Sequence, residues 1–118
     1  MATLTVQSVS RESILDVASG ASGFSSAGAS GDEWANKGKD FIIVRNGNAA
    51  DCTVSVPIEG DPACDGQAVG ETRDFVVAAG ELGVAGPWPV GVYNDTDGTA
   101  SMTYSVTSSV EVMICRTP

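Results

Sequence analysis

Between Asp40 and Ile58 the chain reads DFIIVRNGNAADCTVSVPI, and this stretch decides the fold. Its first part is a short apolar run, Phe41 to Val44, ended at Asn46-Gly47, the dipeptide that most strongly favours a reversal between strands. The second part alternates: Cys52, Val54, Val56 and Ile58 fall on one face, with Thr53, Ser55 and Pro57 on the other. Alternation with a period of two lines one side of a pleated strand with apolar groups, a pattern that a helix cannot use. The expectation is a pair of antiparallel strands around Asn46-Gly47, in a loop through Asp51 that is longer than a tight hairpin.

The same grammar extends in both directions. Downstream, Pro57 and Pro62 bracket a turn-rich surface excursion containing Asp65-Gly66, and TRDFVVAA from Thr72 supplies the next strand. LGVAGPWPVGVY, Leu82 to Tyr93, reads as an irregular extended segment suited to a sheet edge or corner, with Pro87 and Pro89 flanking Trp88. NDTDGT is a polar turn, after which ASMTYSV and SVEVMIC alternate and are expected to form a C-terminal hairpin. Upstream, Leu4, Val6 and Val9, then Ile14, Leu15 and Val17, mark one or two strands. Ser19 to Gly31 is Gly, Ala and Ser around a single Phe24, a flexible loop or arm unless a partner orders it. Short strands at intervals of about 8 to 12 residues, with no sustained helical period, give an all-β fold: a single-domain antiparallel β-sandwich or small barrel. Residues 1–33 hold the N-terminal strands and loop or arm, and 34–118 the main sandwich, in one domain overall.

Composition narrows the function classes. The 118 residues carry 6 Lys and Arg against 15 Asp and Glu, a net charge of −9 that repels nucleic acid and anionic lipid, so neither nucleic acid nor membrane is expected as a partner. No stretch approaches the roughly 18 apolar residues of a membrane span, and MATLTVQSVSRES lacks the zones of a signal peptide, which points to synthesis in the cytoplasm. The chain has no His, the commonest general base and metal ligand, and its 3 Cys are too few for a Cys-only zinc site, so no catalytic residue, metal or cofactor is expected. Asp95, Asp97 and Gly98 imitate part of a calcium loop, but Tyr93 and Tyr104 stand where acidic ligands are required, leaving a turn. The Asn94-Asp95-Thr96 sequon is read as a turn as well. Two readings of the thiols stand: buried reduced side chains, or a bridge between Cys52 and Cys64 across the Pro-containing loop. Trp34 and Trp88 sit in irregular contexts, either packing over the ends of the sandwich or anchoring an interface.

Several segments together resemble a group of short tailed-phage virion proteins, the capsid decoration or head cement proteins. The matching stretches are WANKGKDFIIVRNG at Trp34–Gly47, TVSV at Thr53–Val56, CDG at Cys64–Gly66, FVVAAGE at Phe75–Glu81, GPWP at Gly86–Pro89, YNDTDG at Tyr93–Gly98 and MTYSVTSSVEV at Met102–Val112. They span about two-thirds of the chain and rest mostly on Gly, Pro and turn positions, which carry fold more than task. The resemblance implies a non-enzymatic β module on the outer capsid surface of a virion, bound to the major capsid protein, commonly as a trimer, and cementing neighbouring capsomers. Candidate shell or subunit contacts are Leu4, Val6, Val9, Phe24, Trp34 and Trp88. On this reading, deleting residues 2–9 removes shell binding and leaves a folded sandwich. The rival is a phage tail or fibre module that recognises a receptor or carbohydrate by stacking Trp34 or Trp88 on a sugar.

Overall fold

The computed structural model describes residues 1–12, 14–18, 20–60 and 70–117. The chain runs through β1 (Ala2–Thr3), β2 (Val6–Ser8), β3 (Ser25–Ser26), β4 (Asp32–Trp34), β5 (Asp40–Asn46), β6 (Cys52–Pro57), β7 (Thr72–Val77), β8 (Leu82–Ala85), the helical turn α1 (Val90–Tyr93), β9 (Ala100–Tyr104) and β10 (Val110–Arg116). Sheet one has the order β1-β4-β9-β6-β7, and sheet two the order β2-β10-β5-β8 with β3 also beside β10. The two sheets pack as an all-β sandwich, and no barrel closes among the described residues. Most neighbours are antiparallel, but β1 runs parallel to β4 and β2 parallel to β10, so both sheets are mixed rather than antiparallel throughout.

Alternation places the core. Ile42 and Val44 of β5 and Val110, Val112 and Ile114 of β10 face Val54 and Val56 of β6 and Ala100 and Met102 of β9, each at most 1% exposed. Because β5 and β6 both carry an apolar row, they do best facing each other across the sandwich, and they lie in different sheets rather than in the expected hairpin. The same holds for β9 and β10. Residues 47–51 and 105–109 are long enough to step the ~10 Å between packed sheets at about 3.3 Å per extended residue. Gly47 N donates to Ser109 O at 2.8 Å, tying the two crossovers side by side. Asn46, which reads as a hairpin residue, instead closes the arch: its Nδ2 donates to Ala50 O and Val77 O at 2.9 Å, and its Oδ1 accepts from Asn48 N. The one expected excursion that does end in a hairpin joins β6 to β7, in register from Cys52 opposite Val77 to Pro57 opposite Thr72.

At the other end of β5 the buried Asp40 seals the core. Arg116 donates to it from Nε (2.6 Å) and Nη2 (2.9 Å), Trp34 from Nε1 (3.1 Å) and Lys37 from its backbone N (3.2 Å), so a carboxylate withdrawn from water keeps its bonds. Asp40 in turn holds the Arg116 guanidinium protonated even more firmly than usual. Leu82 to Tyr93 is not extended throughout: it forms β8 and then, after a cis Gly86–Pro87 bond, the turn α1. An extended strand would send the adjacent Val92 and Tyr93 to opposite faces, whereas the helical turn closed by Asn94 N on Val90 O lets both be buried. Tyr93 meets Trp88 edge-on at 5.0 Å, and Phe75 lies 6.2 Å from the same indole.

Candidate interaction surface

The two outer faces of the sandwich differ in kind. On sheet one, the side chains opposite the core row are Glu33 on β4, Ser101 and Thr103 on β9, Thr53 and Ser55 on β6, and Thr72, Asp74 and Val76 on β7. This is the polar side of a half-buried sheet. Asp74 accepts from Thr72 Oγ1 at 2.7 Å, and this bond with a second from Ser55 holds its carboxyl below the usual value.

Sheet two is apolar on both sides. Its outer face carries Phe41, Ile43 and Arg45 of β5 beside Cys115, Met113 and Glu111 of β10, with Leu82 and Val84 of β8 on the far side of β5. Ile43, Met113 and Cys115 are buried there, covered by Val9, Leu15, Val17 and Phe24 from the N-terminal segment. That segment is a strap: it contributes β3 and several turns, yet it lies flat on a sheet face. Arg45 pins it by donating from Nη2 to Val17 O and by standing 5.7 Å over the Phe24 ring. Gly20 N donates to Glu111 Oε2 at 3.2 Å, and Val9 N to Arg116 O at 2.9 Å. At Gly23 the strap approaches so closely that a Cβ would sit 2.9 Å from Met113 Cε. The fit is incomplete, because Arg45 Nε is buried with no acceptor among the described residues. Ile14 on the strap points outward, 97% exposed. The cover also stops short of β8: Val84, next to Ile43 in register, is 63% exposed and Leu82 is 40% exposed.

The candidate contact residues from the sequence separate into groups. Leu4, Trp34 and Trp88 belong to the main core, at most 7% exposed, and Val6 packs half-buried against it. None of the three buried side chains offers a face to a shell, a subunit or a sugar, which removes the indole-stacking version of the tail reading. Their context looked irregular because β4 is short and α1 is a single turn, but both fold over the ends of the core. Val9 and Phe24 are brought together under the strap. Arg45, Glu111, Leu82 and Val84 were not singled out beforehand. A signal existed: FIIV in β5 and VMIC in β10 are apolar at consecutive positions, and a strand apolar on both faces is covered on both.

Residues 2–9 also do more than reach outward. Leu4 is buried, Leu4 N donates to Glu33 O at 2.7 Å, and β1 and β2 belong to different sheets, so removing them damages the sandwich itself. Cys52 is a buried free thiol whose Sγ lies 3.5 Å from Val106 O, while Cys64 lies outside the described residues. Burial pushes the Cys115 thiol up from its ordinary value, with the nearby Asp40 charge adding to the shift. The Asp95 loop is a turn: Asp95 Oδ1 accepts from Asp97 N and Thr99 N, and Thr99 holds the carboxyl below its usual value. Among the described residues there is no cluster of three or more His, Cys, Asp or Glu able to hold a metal ion, and no helix long and apolar enough to cross a membrane. Compared with protein-family models, with curated proteins and with solved structures, the chain matches none.

Proposed function

We propose that the protein is a non-enzymatic structural component of a tailed-phage virion, which binds the outer capsid surface and cements neighbouring capsomers through the major capsid protein. The observation that carries this reading is the strapped face of sheet two. A binding module needs a surface it can open and close more than a pocket, and here an apolar row is sheltered by a segment of low intrinsic order. An extended segment of a shell subunit competes with the strap for that row, and Ile14 gives the strap an apolar contact of its own to make. Each contact is small, and many copies on one shell add up by multivalency. A charge of −9 keeps the outward side of such a layer soluble and unattractive to nucleic acid. The trimer implied by the family resemblance belongs to the same proposal.

The test is the copy number of this chain in purified particles from its source, by quantitative mass spectrometry against the major capsid subunit. A ratio between about one-third and one supports a shell-covering protein on icosahedral symmetry. A ratio of a few per cent transfers the chain to the tail, and absence from particles overturns the virion reading. With the copy number in hand, Ile14→Asp is expected to lower shell occupancy without altering the fold.

A further inference from the structure

We propose that β8 is a self-pairing edge: two copies of this chain join by antiparallel pairing of Leu82–Ala85 across a twofold axis. This goes beyond the virion reading and does not rest on it. Sheet one ends in β1 and β7, and sheet two in β8 and the short β2 and β3. Natural proteins guard open edges with charge, Pro or very short strands. The strands β1, β2 and β3 are 2 or 3 residues long, and β7 carries Arg73 and Asp74. Among the described edge strands, β8 alone, Leu-Gly-Val-Ala, is both 4 residues long and free of any charge, and its two large side chains are exposed.

The backbone fixes which groups are on offer. Gly80 N donates to Asn46 O at 2.8 Å and Asn46 N to Glu81 O at 2.9 Å, a bulge with Gly80 at φ 78° in its first position. From there the ladder alternates: Gly83 opposite Val44 and Ala85 opposite Ile42 spend their backbone bonds on β5. Leu82 and Val84 therefore turn their N–H and C=O away from it, toward the open edge. A second copy satisfies both residues when the axis passes through Gly83, which sets Leu82 opposite Val84 of the second copy and Val84 opposite its Leu82. Axes through Leu82 or Val84 set Val84 against Gly80, or Leu82 against Gly86, and lose an apolar pair. In the favoured register Glu81 falls opposite Ala85, so two chains of charge −9 meet without opposed carboxylates. A four-residue edge buries less than the ~1,200 Å² of a standard interface, which makes the pairing weak in dilute solution and effective where copies are crowded on a scaffold.

Sedimentation of the full chain, taken up to about 1 mM, is expected to show reversible dimer formation in that weak range. Val84→Lys is expected to weaken it at least about tenfold, because the ammonium must be desolvated at the seam. That outcome is diagnostic, since the substitution lowers the charge repulsion between copies (−9 + 1 = −8) and general electrostatics would strengthen association. Register is read by mixing Leu82→Cys with Val84→Cys under mild oxidation, with the wild-type chain oxidised in parallel as background. The mixture is expected to cross-link well above either variant alone. Far-UV circular dichroism and the emission of the buried Trp34 and Trp88 confirm that each variant is folded. A monomer at every concentration, a Val84→Lys chain that associates like wild type, or single variants that cross-link as well as the mixture each overturn the proposal.

Discussion

One outer face of this sandwich is finished by water and the other by the chain itself. Sheet one follows the simple rule of a half-buried sheet, with Val54, Val56, Ala100 and Met102 inside and Thr53, Ser55, Ser101 and Thr103 outside. Sheet two breaks that rule, because Ile43, Met113 and Cys115 repeat outside what Ile42, Val112 and Ile114 do inside. The difference teaches that a segment with the composition of a flexible arm can acquire a place without acquiring much secondary structure. Phe24, Val17, Leu15 and Val9 need only a row to lie on, and β5 with β10 provides it.

The largest test of this asymmetry compares a charge on each face. Met113→Asp places a carboxylate under the strap among Ile43, Cys115 and Phe24, with Arg45 as its one cationic neighbour on that face, and is expected to cost about 2–3 kcal/mol through desolvation and lost packing. Thr103→Asp on the exposed side of sheet one is expected to stay within about 0.5 kcal/mol. Denaturant midpoints measure both, and equal effects would mean that the strap does not seal its face. Phe24→Ala comes next. Phe24 is half-buried, so its truncation is expected to cost about 1–2 kcal/mol, below the range for fully buried aromatics. The same variant should bind more of an apolar dye and exchange its amide hydrogens faster over 14–24 than over β5 and β10. Uniform protection across strap and sheet would make the strap part of one rigid unit. The smallest effect is on sheet one. The Asp74 carboxyl titrates below the ordinary 3.8 in the folded chain, so its contribution is present above that value and is lost as pH falls through the folded one. Asp74→Asn is expected to trim stability slightly at neutral pH and to leave it unchanged well below pH 3.8, which acid titration of the unfolding midpoint reads directly.

Strand identity was legible because period two survives in β6, where Cys52 to Ile58 show it in sequence and in burial alike, whereas β10 was legible from its β-branched run although Val112 to Cys115 are buried at every position. Partnership was not. Asn46-Gly47 signals a reversal, but a reversal within a sheet and a step between sheets use the same turn residues, and the choice is made by the second apolar row waiting opposite. The two indoles illustrate a similar limit. An apolar side chain in a Gly- and Pro-rich stretch looks the same whether it anchors an interface or plugs the end of a core, and only the Trp34 bond to Asp40 and the Trp88 contacts with Tyr93 and Phe75 decide. The outer row of sheet two was visible in FIIV and VMIC, while the strap that covers it was hidden by its own small residues.

The position of β10 has a consequence for how the molecule comes into being. It is the middle strand of sheet two, flanked by β5 on one side and by β2 and β3 on the other, with Val6 lying opposite Ile114. Sheet two has no centre until residues 110–116 have been translated, so β2 and β3 emerge from the ribosome with their partner still unmade and β5 with only β8 beside it. Completion of sheet two is therefore a late step, in a class of fold whose domains typically take milliseconds to seconds. Its nascent form, with FIIV and the β8 edge both uncovered, is the species that a chaperone would meet.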